Sequence, residues 1–387
     1  MLIVENNLET ALPFLEHLRP GECVLDIETT GFDRRSDQLL LAGCLYRSPD
    51  GIRSVQWLGE RPADEYELLY RLREFLSPFK TLAHYNGTAF DLPFLGARFR
   101  SFGLESPLED LGQYDLYLRL RPCKQALGFP GLRLQVLAAH FGLGRTDNSS
   151  GFLLARTHRE FLEGHRRDLA QPLLVHNRED LENTLVLLAL RPLLETVLQL
   201  KENRFHPESF SLEREEDQIT FLFRLEQRHF GTAAFDGSGH RILLQGSLLS
   251  LHLPIRPLSL LHYFSDYRNY YYLPKEDTAI HKSVGRFVAP GHRVQAGKDT
   301  AFVRKSGLFV ELPAVLGPHL KGLPLFHKDP RREHVYVEAS ALASLDPRLL
   351  GPLLGPGVWR LFLEGEPHIS LTDFPASKGN SEVIPDL

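Results

Sequence analysis

The order of strand-like and helix-like segments in the first 190 residues constrains the fold more than any other feature of the sequence. Residues 22–28 alternate apolar and polar side chains, and the runs 38–47 and 52–58 flank a Ser-Pro-Asp-Gly turn. Three strands followed by alternating helices and a strand predict an α/β layer structure with a mixed sheet. The later segments are a helix at 63–76, a strand at 81–85, and helices at 91–102, 132–141 and 167–190, the last of which Pro192 should end or kink.

Chain length and a change of composition predict a second domain. With 387 residues, the chain exceeds one core of ordinary size. Residues 201–214 are polar and are interpreted as a linker, and Gly and Pro recur after them. We expect a first domain over 1–200, a smaller strand-rich α+β domain over 201–371 and a disordered tail over 372–387. The strand-like runs of the second domain are 270–273, 286–288, 301–304, 308–312, 334–337 and 359–363.

The composition is that of a water-soluble globular protein, with 43% hydrophobic and 24% charged residues. Its three cysteines have no metal-binding or redox spacing, which favours a reducing cytoplasm. Glu5, Glu9 and Glu16 make the first residues unlike a signal peptide. The longest apolar stretch, 184–200, is interrupted by charged residues and too short to span a bilayer. We therefore expect a cytoplasmic protein without a membrane partner.

The net charge of −5 provides no overall positive field for nucleic acid. Residues 1–200 hold 22 basic and 27 acidic side chains, whereas residues 201–387 hold 22 of each. An enzyme that acts on nucleic acid would need a local basic groove, or metal ions at an acidic centre. An enzyme with a small substrate is equally compatible with this composition.

The first chemical motif is Asp26-Ile27-Glu28 in the first predicted strand. Residues i and i+2 of a strand point to the same face, so the two carboxylates lie ~7 Å apart along it. Such a pair is costly unless cations lie between them, and hard oxygen ligands suit Mg²⁺ or Mn²⁺. By itself, an ordinary solvated strand end is the simpler interpretation.

The second motif is the segment from Asn86 to Asp91, in which a strand ends, a turn of small residues follows and a helix begins at an acidic residue. Asp91 fits a helix N-cap, and Pro93 fits the first turn. The neighbouring apolar residues would pack this helix on the sheet and fix the carboxylate, while the Asn86 side chain could hold the turn. The simpler interpretation of Asp91 is a helix cap.

The third motif places His176 and Asp180 four residues apart in a predicted helix. This spacing puts both side chains on one helix face. The apolar residues Leu181, Leu185 and Leu188 anchor the helix. A single pair of this kind is commonly a surface contact.

In this order, the three motifs resemble the pattern of the DEDD exonuclease superfamily, which has a ribonuclease-H-like fold, over roughly residues 20–195. They are similar in particular to bacterial YprB-type ribonuclease-H-like proteins, and residues 270–288 resemble the second half of such proteins. The resemblance implies a ribonuclease-H-like mixed β-sheet flanked by helices. The matching stretches are LDIETTG at 25–31, HYNGTAFDLPFL at 84–95, YDLYLRLR at 114–121, LRLQVLAAHFGLGR at 132–145 and HNREDLENT at 176–184.

The resemblance also implies an activity and a set of site residues. It assigns Asp26, Glu28, Asp91 and Asp180 as ligands of two divalent ions, Mg²⁺ or Mn²⁺, and places His176 at the position of the general base. The expected function is a metal-dependent nuclease that hydrolyses phosphodiester bonds as a 3′-to-5′ exonuclease. The alternatives are a nucleic-acid-binding module with a vestigial site and a structure-selective endonuclease. The choice between DNA and RNA and the oligomeric state stay open.

The position of His176 departs from the pattern of that superfamily. Members with a catalytic His place it five residues before the last Asp, and members with Tyr place it four before. Here the His has the Tyr spacing, and one residue turns a helical side chain by about 100°. His176 is therefore expected to be a general base, a partner of metal-bound water or a structural residue.

Residues 262–305 interleave aromatic and basic side chains, a pattern that can hold single strands by stacking and by phosphate contacts. The alternative is a β-domain core with a charged rim. A second open question concerns Asp115, which lies either near the active site or, as a structural carboxylate, at a strand end. The candidate nucleic-acid-binding residues are Asn86, Tyr271, Lys282, Arg286 and Arg304.

Overall fold

The computed structural model divides the chain into two compact units, with the boundary between Leu194 and Glu195. The predicted tail, 372–387, and most of the loop after residue 143 lie outside the described residues. None of the helices in the described part of the chain is long and apolar enough to cross a membrane. The structure describes residues 1–8, 15–143, 160–161, 167–202, 204, 209–237, 239–313, 320, 322–330, 334–344, 358–359, 361, 363 and 365–370.

The first unit is built on a mixed sheet. Its strands are β1 Leu2–Asn7, β2 Glu22–Thr29, β3 Leu39–Ser48, β4 Gly51–Leu58, β5 Thr81–His84 and β6 Gly112–Asp115. The strand order is β1-β4-β3-β2-β5-β6. Strands β1 to β4 pair antiparallel, while β5 pairs parallel with both β2 and β6. Strand β2 therefore lies in the interior of the sheet.

Helices cover the two faces of this sheet. They are α1 Glu65–Leu76, α2 Asp91–Ser101, α3 Leu116–Leu120, α4 Leu134–His140 and α5 Ala170–Leu187, and α6 Arg191–Lys201 follows at the unit boundary. Leu25 and Ile27 of β2 pack in one cluster with apolar residues of α1 and α2. Leu173 and Leu174 of α5 pack in another cluster with Leu40 of β3. Each such fully buried side chain contributes about 1.5–3 kcal/mol.

The second unit is dominated by strands. They are β7 Ser209–Arg214, β8 Gln218–Gly237, β9 His240–Tyr263, β10 Tyr270–Leu273, β11 Thr278–His281, β12 Val294–Gln295, β13 Phe302–Pro313, β14 His334–Glu338 and β15 Glu366–Ser370, with the short helices α7 Lys282–Gly285 and α8 Ala339–Ala343. One sheet has the order β14-β13-β9-β8-β15, with β7 on β8, and a small sheet has the order β11-β10-β12. The predicted fold class, a mixed α/β domain followed by a strand-rich domain, is confirmed.

Several element predictions need correction. The linker predicted over 201–214 is wrong at its end, because 209–214 form β7 and pair with β8. The strand predicted at 286–288 is a turn that follows α7, and the described residues of 359–363 are helical. Short apolar runs do not distinguish a strand from a buried helix by their spacing, and that ambiguity accounts for the last error.

Pro192 acts differently from the prediction. Helix α5 ends at Leu187, a short 3₁₀ turn covers Leu188–Leu190, and Pro192 is the second residue of α6. A proline in the first turn of a helix lacks only an N–H that has no partner inside the helix. Pro192 therefore starts the next helix instead of distorting the previous one.

Candidate active site

Four acidic side chains from three elements of the first unit lie close enough for their charges to interact. The charges of Glu28, Asp91 and Asp180 all raise the pKa of Asp26. His176 joins them, with its Nε2 atom 3.5 Å from Glu28 Oε1 and 3.6 Å from Asp180 Oδ2. The carboxylates and the imidazole that the three motifs single out are thus neighbours.

The alternation of β2 explains why two of these carboxylates share a face. Leu25 and Ile27 are buried against α1 and α2. Because successive side chains of a strand point to opposite faces, Asp26 and Glu28 project to the other face. Helix α5 contacts β2 and carries the histidine and the last aspartate.

Asp115, at the end of β6, holds the loop that precedes Asp91. Its carboxylate accepts the backbone N–H groups of Asn86 at 3.0 Å and Thr88 at 3.1 Å. Asn86 has a φ of 63°, a conformation that Asn adopts more readily than most residues. The turn is therefore clamped by a carboxylate of the neighbouring strand, so Asp115 has a structural role, and it also lies close enough to Asp91 for its charge to raise the pKa of that residue. The clamp fixes the point at which α2 begins, and with it Asp91.

Burial and mutual repulsion favour the protonated forms of two of the carboxyls. Burial, followed by the three neighbouring carboxylates, raises the pKa of Asp26 well above its usual value, while a hydrogen bond from Asn177 opposes the shift. Burial raises the pKa of Asp91 to about 7, and the charges of Asp115 and Asp180 add to the effect. Bound cations would relieve this repulsion.

The donor set fits hard divalent ions. Carboxylate oxygens are the ligands that Mg²⁺ and Mn²⁺ prefer, and the converging side chains supply them from β2, α2 and α5. Within the described residues, no group of three His, Cys, Asp or Glu side chains already closes on a single point that a metal ion would occupy. The carboxylates therefore converge without forming a finished coordination shell.

The structure adds three residues that the sequence motifs missed. Asn177 is fully buried, and its Nδ2 donates to Asp26 Oδ2 at 2.7 Å and to the Asp26 carbonyl oxygen at 3.2 Å. Gln56 Nε2 donates to Asn177 Oδ1 at 2.8 Å. Gly43 lies between Asp26 and Gln56 in the strand register, and a Cβ there would lie 2.0 Å from Asn177 Oδ1. A glycine inside a strand often marks such a close approach, which was the available signal.

An exposed aromatic ring packs against the residue that precedes Asp91. Phe32 follows β2 and is 73% exposed. Its ring contacts that of Phe90 edge to face, with centroids 5.8 Å apart, and Phe90 directly precedes Asp91. An exposed aromatic ring of this kind is a surface on which a base can stack.

The candidate nucleic-acid-binding residues divide between the two units. Asn86 belongs to the first unit, in the loop clamped by Asp115. The other candidates belong to the second unit, where Lys282 Nζ lies 5.4 Å from the centroid of the Tyr271 ring. Arg304 forms an exposed ion pair with Asp277 at 3.1 Å.

Three solved structures resemble this chain at low sequence identity. The chain is similar to a family B DNA polymerase of the archaeon Pyrobaculum calidifontis, with 16% identity over 65% of this chain and 36% of the polymerase and a TM-score of 0.36. It is also similar to the E. coli exonuclease I–ssDNA complex in its zinc-bound form, with 14% identity over 52% of this chain and 54% of that one and a TM-score of 0.28. Another exonuclease I structure has 11% identity over 89% of this chain and 74% of that one, with a TM-score of 0.33.

The chain therefore spans about a third of the polymerase and about half of the exonuclease I in that complex. A comparison with curated protein sequences gave no match. The model of one family, described as the RNase H superfamily, matches residues 23–190. The matched segment includes β2 to β6 and α1 to α5, and so contains every element that carries a candidate catalytic residue. Residues 23–190 therefore form an RNase H-like domain, a mixed β-sheet flanked by helices.

Proposed function

We propose that this protein is a metal-dependent nuclease that hydrolyses phosphodiester bonds of nucleic acid and acts as a 3′-to-5′ exonuclease. The observation that carries the proposal is the convergence of Asp26, Glu28, Asp91 and Asp180 beside His176, in an RNase H-like domain. Burial and neighbouring charges raise the pKa of Asp26 and Asp91, and such a cluster of carboxylates is costly for stability alone. A catalytic role would account for this cost.

The four carboxylates would hold two divalent ions, Mg²⁺ or Mn²⁺. When bound, such ions polarise a water for attack and stabilise the charge that develops on the leaving oxygen. The charges of the other three carboxylates all raise the pKa of Asp26, so Asp26 would be a central member of the ligand set. Asp91 is fixed by the start of α2, and Asp180 by the face of α5 that packs on β2.

His176 is assigned as the group that accepts the proton of the attacking water. The imidazole is buried, and Nε2 contacts both Glu28 and Asp180, which hold the ring at the carboxylate cluster. A general base must lie within hydrogen-bonding reach of the water, directly or through one intervening water. Its contacts with Glu28 and Asp180 support this assignment despite the unusual spacing in the sequence.

The substrate end would stack on the exposed ring of Phe32. Stacking on an aromatic side chain holds any base, because every base has a π-face. Phe32 follows β2, and its partner Phe90 precedes Asp91, so the ring adjoins two of the elements that carry ligands. This arrangement favours a frayed or single-stranded terminus over the interior of a duplex.

The test uses linear single-stranded and duplex DNA and RNA labelled at the 5′ end, with Mg²⁺ or Mn²⁺. Removal of nucleotides from the 3′ end gives a ladder of shortening labelled products, whereas a 5′ exonuclease releases the label at once. Asp26→Asn should abolish the ladder. Asp50→Asn is the matched control, because Asp50 is an exposed carboxylate paired with Arg53.

Three results would contradict the proposal. Cleavage that persists in Asp26→Asn would show that the carboxylate cluster is not the active site. A single internal cut, together with cleavage of a circular substrate, would identify an endonuclease on the same fold. Binding without any cleavage in either metal would favour a nucleic-acid-binding module.

A further inference from the structure

The small sheet of the second unit carries a compact feature that the proposed catalysis does not use. Helix α7 directly follows β11 and packs on β10 and β11. The packing is tight, because a Cβ at Gly285 would lie 2.9 Å from side-chain atoms of both Tyr271 and Ile280. The residues around α7 therefore lie on a well-packed part of the small sheet.

Several large apolar side chains around α7 are exposed. Phe287 is 79% exposed, the highest value for a large apolar side chain in the described part of the chain. Val284 is 57% exposed and Val294 is 52% exposed, so three such side chains occur within eleven residues. Single exposed apolar residues are normal, but a local group of them marks an interaction surface.

The same segment is strongly basic. Residues 278–298 contain four Lys or Arg residues and no Asp or Glu, in a chain whose net charge is −5. Arg286 Cζ lies 4.8 Å from the centroid of the Phe287 ring, and Arg293 Cζ lies 4.6 Å from that of Tyr271. The cations thus lie against the aromatic rings. We define the α7 surface as Lys282, Val284, Arg286, Phe287, Arg293 and Val294.

We infer that the α7 surface binds single-stranded nucleic acid without sequence preference. The basic side chains would contact phosphates, and the exposed Phe287 ring would stack on a base. A single strand is the partner that fits, because duplex bases are stacked on each other and offer no free face to the ring. Local positive charge beside exposed aromatic rings is the combination that such strands require.

Arg304, which the sequence analysis grouped with these residues, is left out of the α7 surface. Its charge is offset by Asp277, whose carboxylate also accepts a hydrogen bond from Tyr272 at 2.7 Å. The α7 surface is therefore smaller than the basic and aromatic segment seen in the sequence, and it includes Phe287 and Arg293 as new members.

The experiment measures binding of a fluorescent oligothymidylate and an oligouridylate to the full chain in EDTA, so that cleavage plays no part. Phe287→Ala should weaken binding about tenfold, through loss of one stacking contact. Lys282→Gln with Arg286→Gln should lower the salt slope by about 1.4, because each lost phosphate contact contributes about 0.7 for single strands. Arg241→Gln, an exposed arginine paired with Asp236, is the matched control and should bind like the parent.

Unchanged affinity and salt slope in both α7 variants would overturn the inference. Loss of binding to anionic phospholipid vesicles in these variants, with oligonucleotide binding intact, would also overturn it and identify a membrane surface. All the substituted side chains except the half-buried Lys282 are exposed, and equal thermal midpoints would confirm that the variants are folded.

A second inference, independent of the first, concerns Asn177 and depends on the proposed function. The orientation of its amide is fixed by a chain of hydrogen bonds. The carbonyl oxygen of Leu174 can only accept, so the Gln56 atom at 2.9 Å from it is the donor Nε2, and this atom also donates to Asn177 Oδ1. The Nδ2 group of Asn177 must therefore face Asp26.

We propose that Asn177 is a positioning residue that sets the direction of the Asp26 carboxylate. Its Nδ2 holds Asp26 Oδ2 at 2.7 Å and leaves the other carboxylate oxygen available for an ion. Gly43 makes room for this contact, because any Cβ there would collide with Asn177 Oδ1. Partners that orient a metal ligand in this way commonly affect metal affinity by about 10–100-fold.

The test compares Mn²⁺ binding by titration calorimetry in the parent, Asn177→Ser and Gln56→Glu. Asn177→Ser should weaken Mn²⁺ binding by about 10–100-fold. Gln56→Glu removes the donor that orients Asn177 and should weaken binding in the same direction but less. Asn183→Ala is the matched control, since Asn183 is another buried asparagine of α5, and its Mn²⁺ affinity should equal that of the parent.

The two possible failures have different signatures. If the parent binds no Mn²⁺, the proposed metal site is wrong. If the parent binds Mn²⁺ and Asn177→Ser binds it equally well, the metal site stands and the positioning role is overturned. Because both variants change buried groups, the apo thermal midpoints are measured first, and Gln56→Glu tests the same contact from its other end.

Discussion

Asp91→Asn is expected to stabilise the metal-free protein above neutral pH while reducing its stabilisation by Mn²⁺. Burial raises the pKa of Asp91 from 3.8 to about 7. Between these values the folded protein keeps a proton that the unfolded chain has released, so raising the pH favours unfolding. The contribution of Asp91 to stability is fully present below about pH 4 and is lost as the pH rises through about 7. Asparagine stays neutral at every pH, so the variant does not lose this stability as the pH rises.

The size of the effect follows from the shift. A pKa that rises from 3.8 to about 7 corresponds to an upper limit of about 4 kcal/mol, at 1.36 kcal/mol per unit. For a domain of 150–250 residues, each kcal/mol changes the melting temperature by roughly 2–4 °C, which gives an upper limit of roughly 8–16 °C. Backbone hydrogen bonds from Asp91 and Ile27 oppose the upward shift of the Asp91 pKa, so we expect a rise of several degrees.

The assay is thermal unfolding in EDTA at about pH 5 and about pH 8, with and without added Mn²⁺. The difference in melting temperature between Asp91→Asn and the parent should grow with pH, and the Mn²⁺-induced increase should be smaller in the variant. The exposed control Asp50→Asn should follow the parent at both pH values. The reasoning fails if the parent and Asp91→Asn show the same dependence on pH.

Three further changes test other parts of the structure. His176→Ala should slow turnover by roughly 10²–10⁴-fold with unchanged Mn²⁺ affinity, whereas rescue by excess Mn²⁺ would indicate a partner of metal-bound water instead of a general base. Phe32→Ala should raise KM for single-stranded substrate about tenfold with little change in kcat, and an unchanged KM would exclude stacking on this ring. Arg191→Ala should destabilise the protein by about 3–5 kcal/mol in urea unfolding. The reason is that the buried Glu22 carboxylate loses the guanidinium that lies 2.8 Å from it in the parent. A cost below about 1 kcal/mol would mean that this pair behaves like a surface ion pair.

The positions of the candidate catalytic residues within their strands and helices could be predicted from the sequence because they depend on local geometry. The spacing of Asp26 and Glu28 follows from the two-residue period of a strand. That of His176 and Asp180 follows from the helical period. Asp91 was located by the start of α2, although the element that holds its loop, β6, was not predicted.

Features that depend on pairing between distant parts of the chain could not be predicted from local sequence patterns. The strands β8 and β9 are 20 and 24 residues long, and the sequence analysis detected neither of them. Their register shifts at two places, so the alternation of buried and exposed side chains is interrupted. Strand β1 was missed because it pairs with β4 across some fifty residues of chain, with Leu2 opposite Leu58.

The contact between Asn177 and Asp26 illustrates the same limit at the site itself. Asp26, Gly43 and Gln56 are neighbours only because three strands pair in one register, and Asn177 is 121 residues from Gln56 in sequence. A glycine in the middle of β3 indicated that something approaches the sheet there. Which side chain approaches is decided by the packing of α5 on the sheet, and no local pattern encodes that packing.

The charge distribution connects the proposed active site with the proposed α7 surface. Residues 1–200 carry a net excess of acidic side chains, 27 against 22, and so provide no net positive field for a polyanion. The four basic residues within 278–298 supply positive charge that a single strand of nucleic acid would contact. It follows that added salt should weaken binding mainly through the α7 surface. Turnover of substrate already bound at saturation should depend on the divalent ion and only weakly on monovalent salt, because the buried carboxylates are poorly screened.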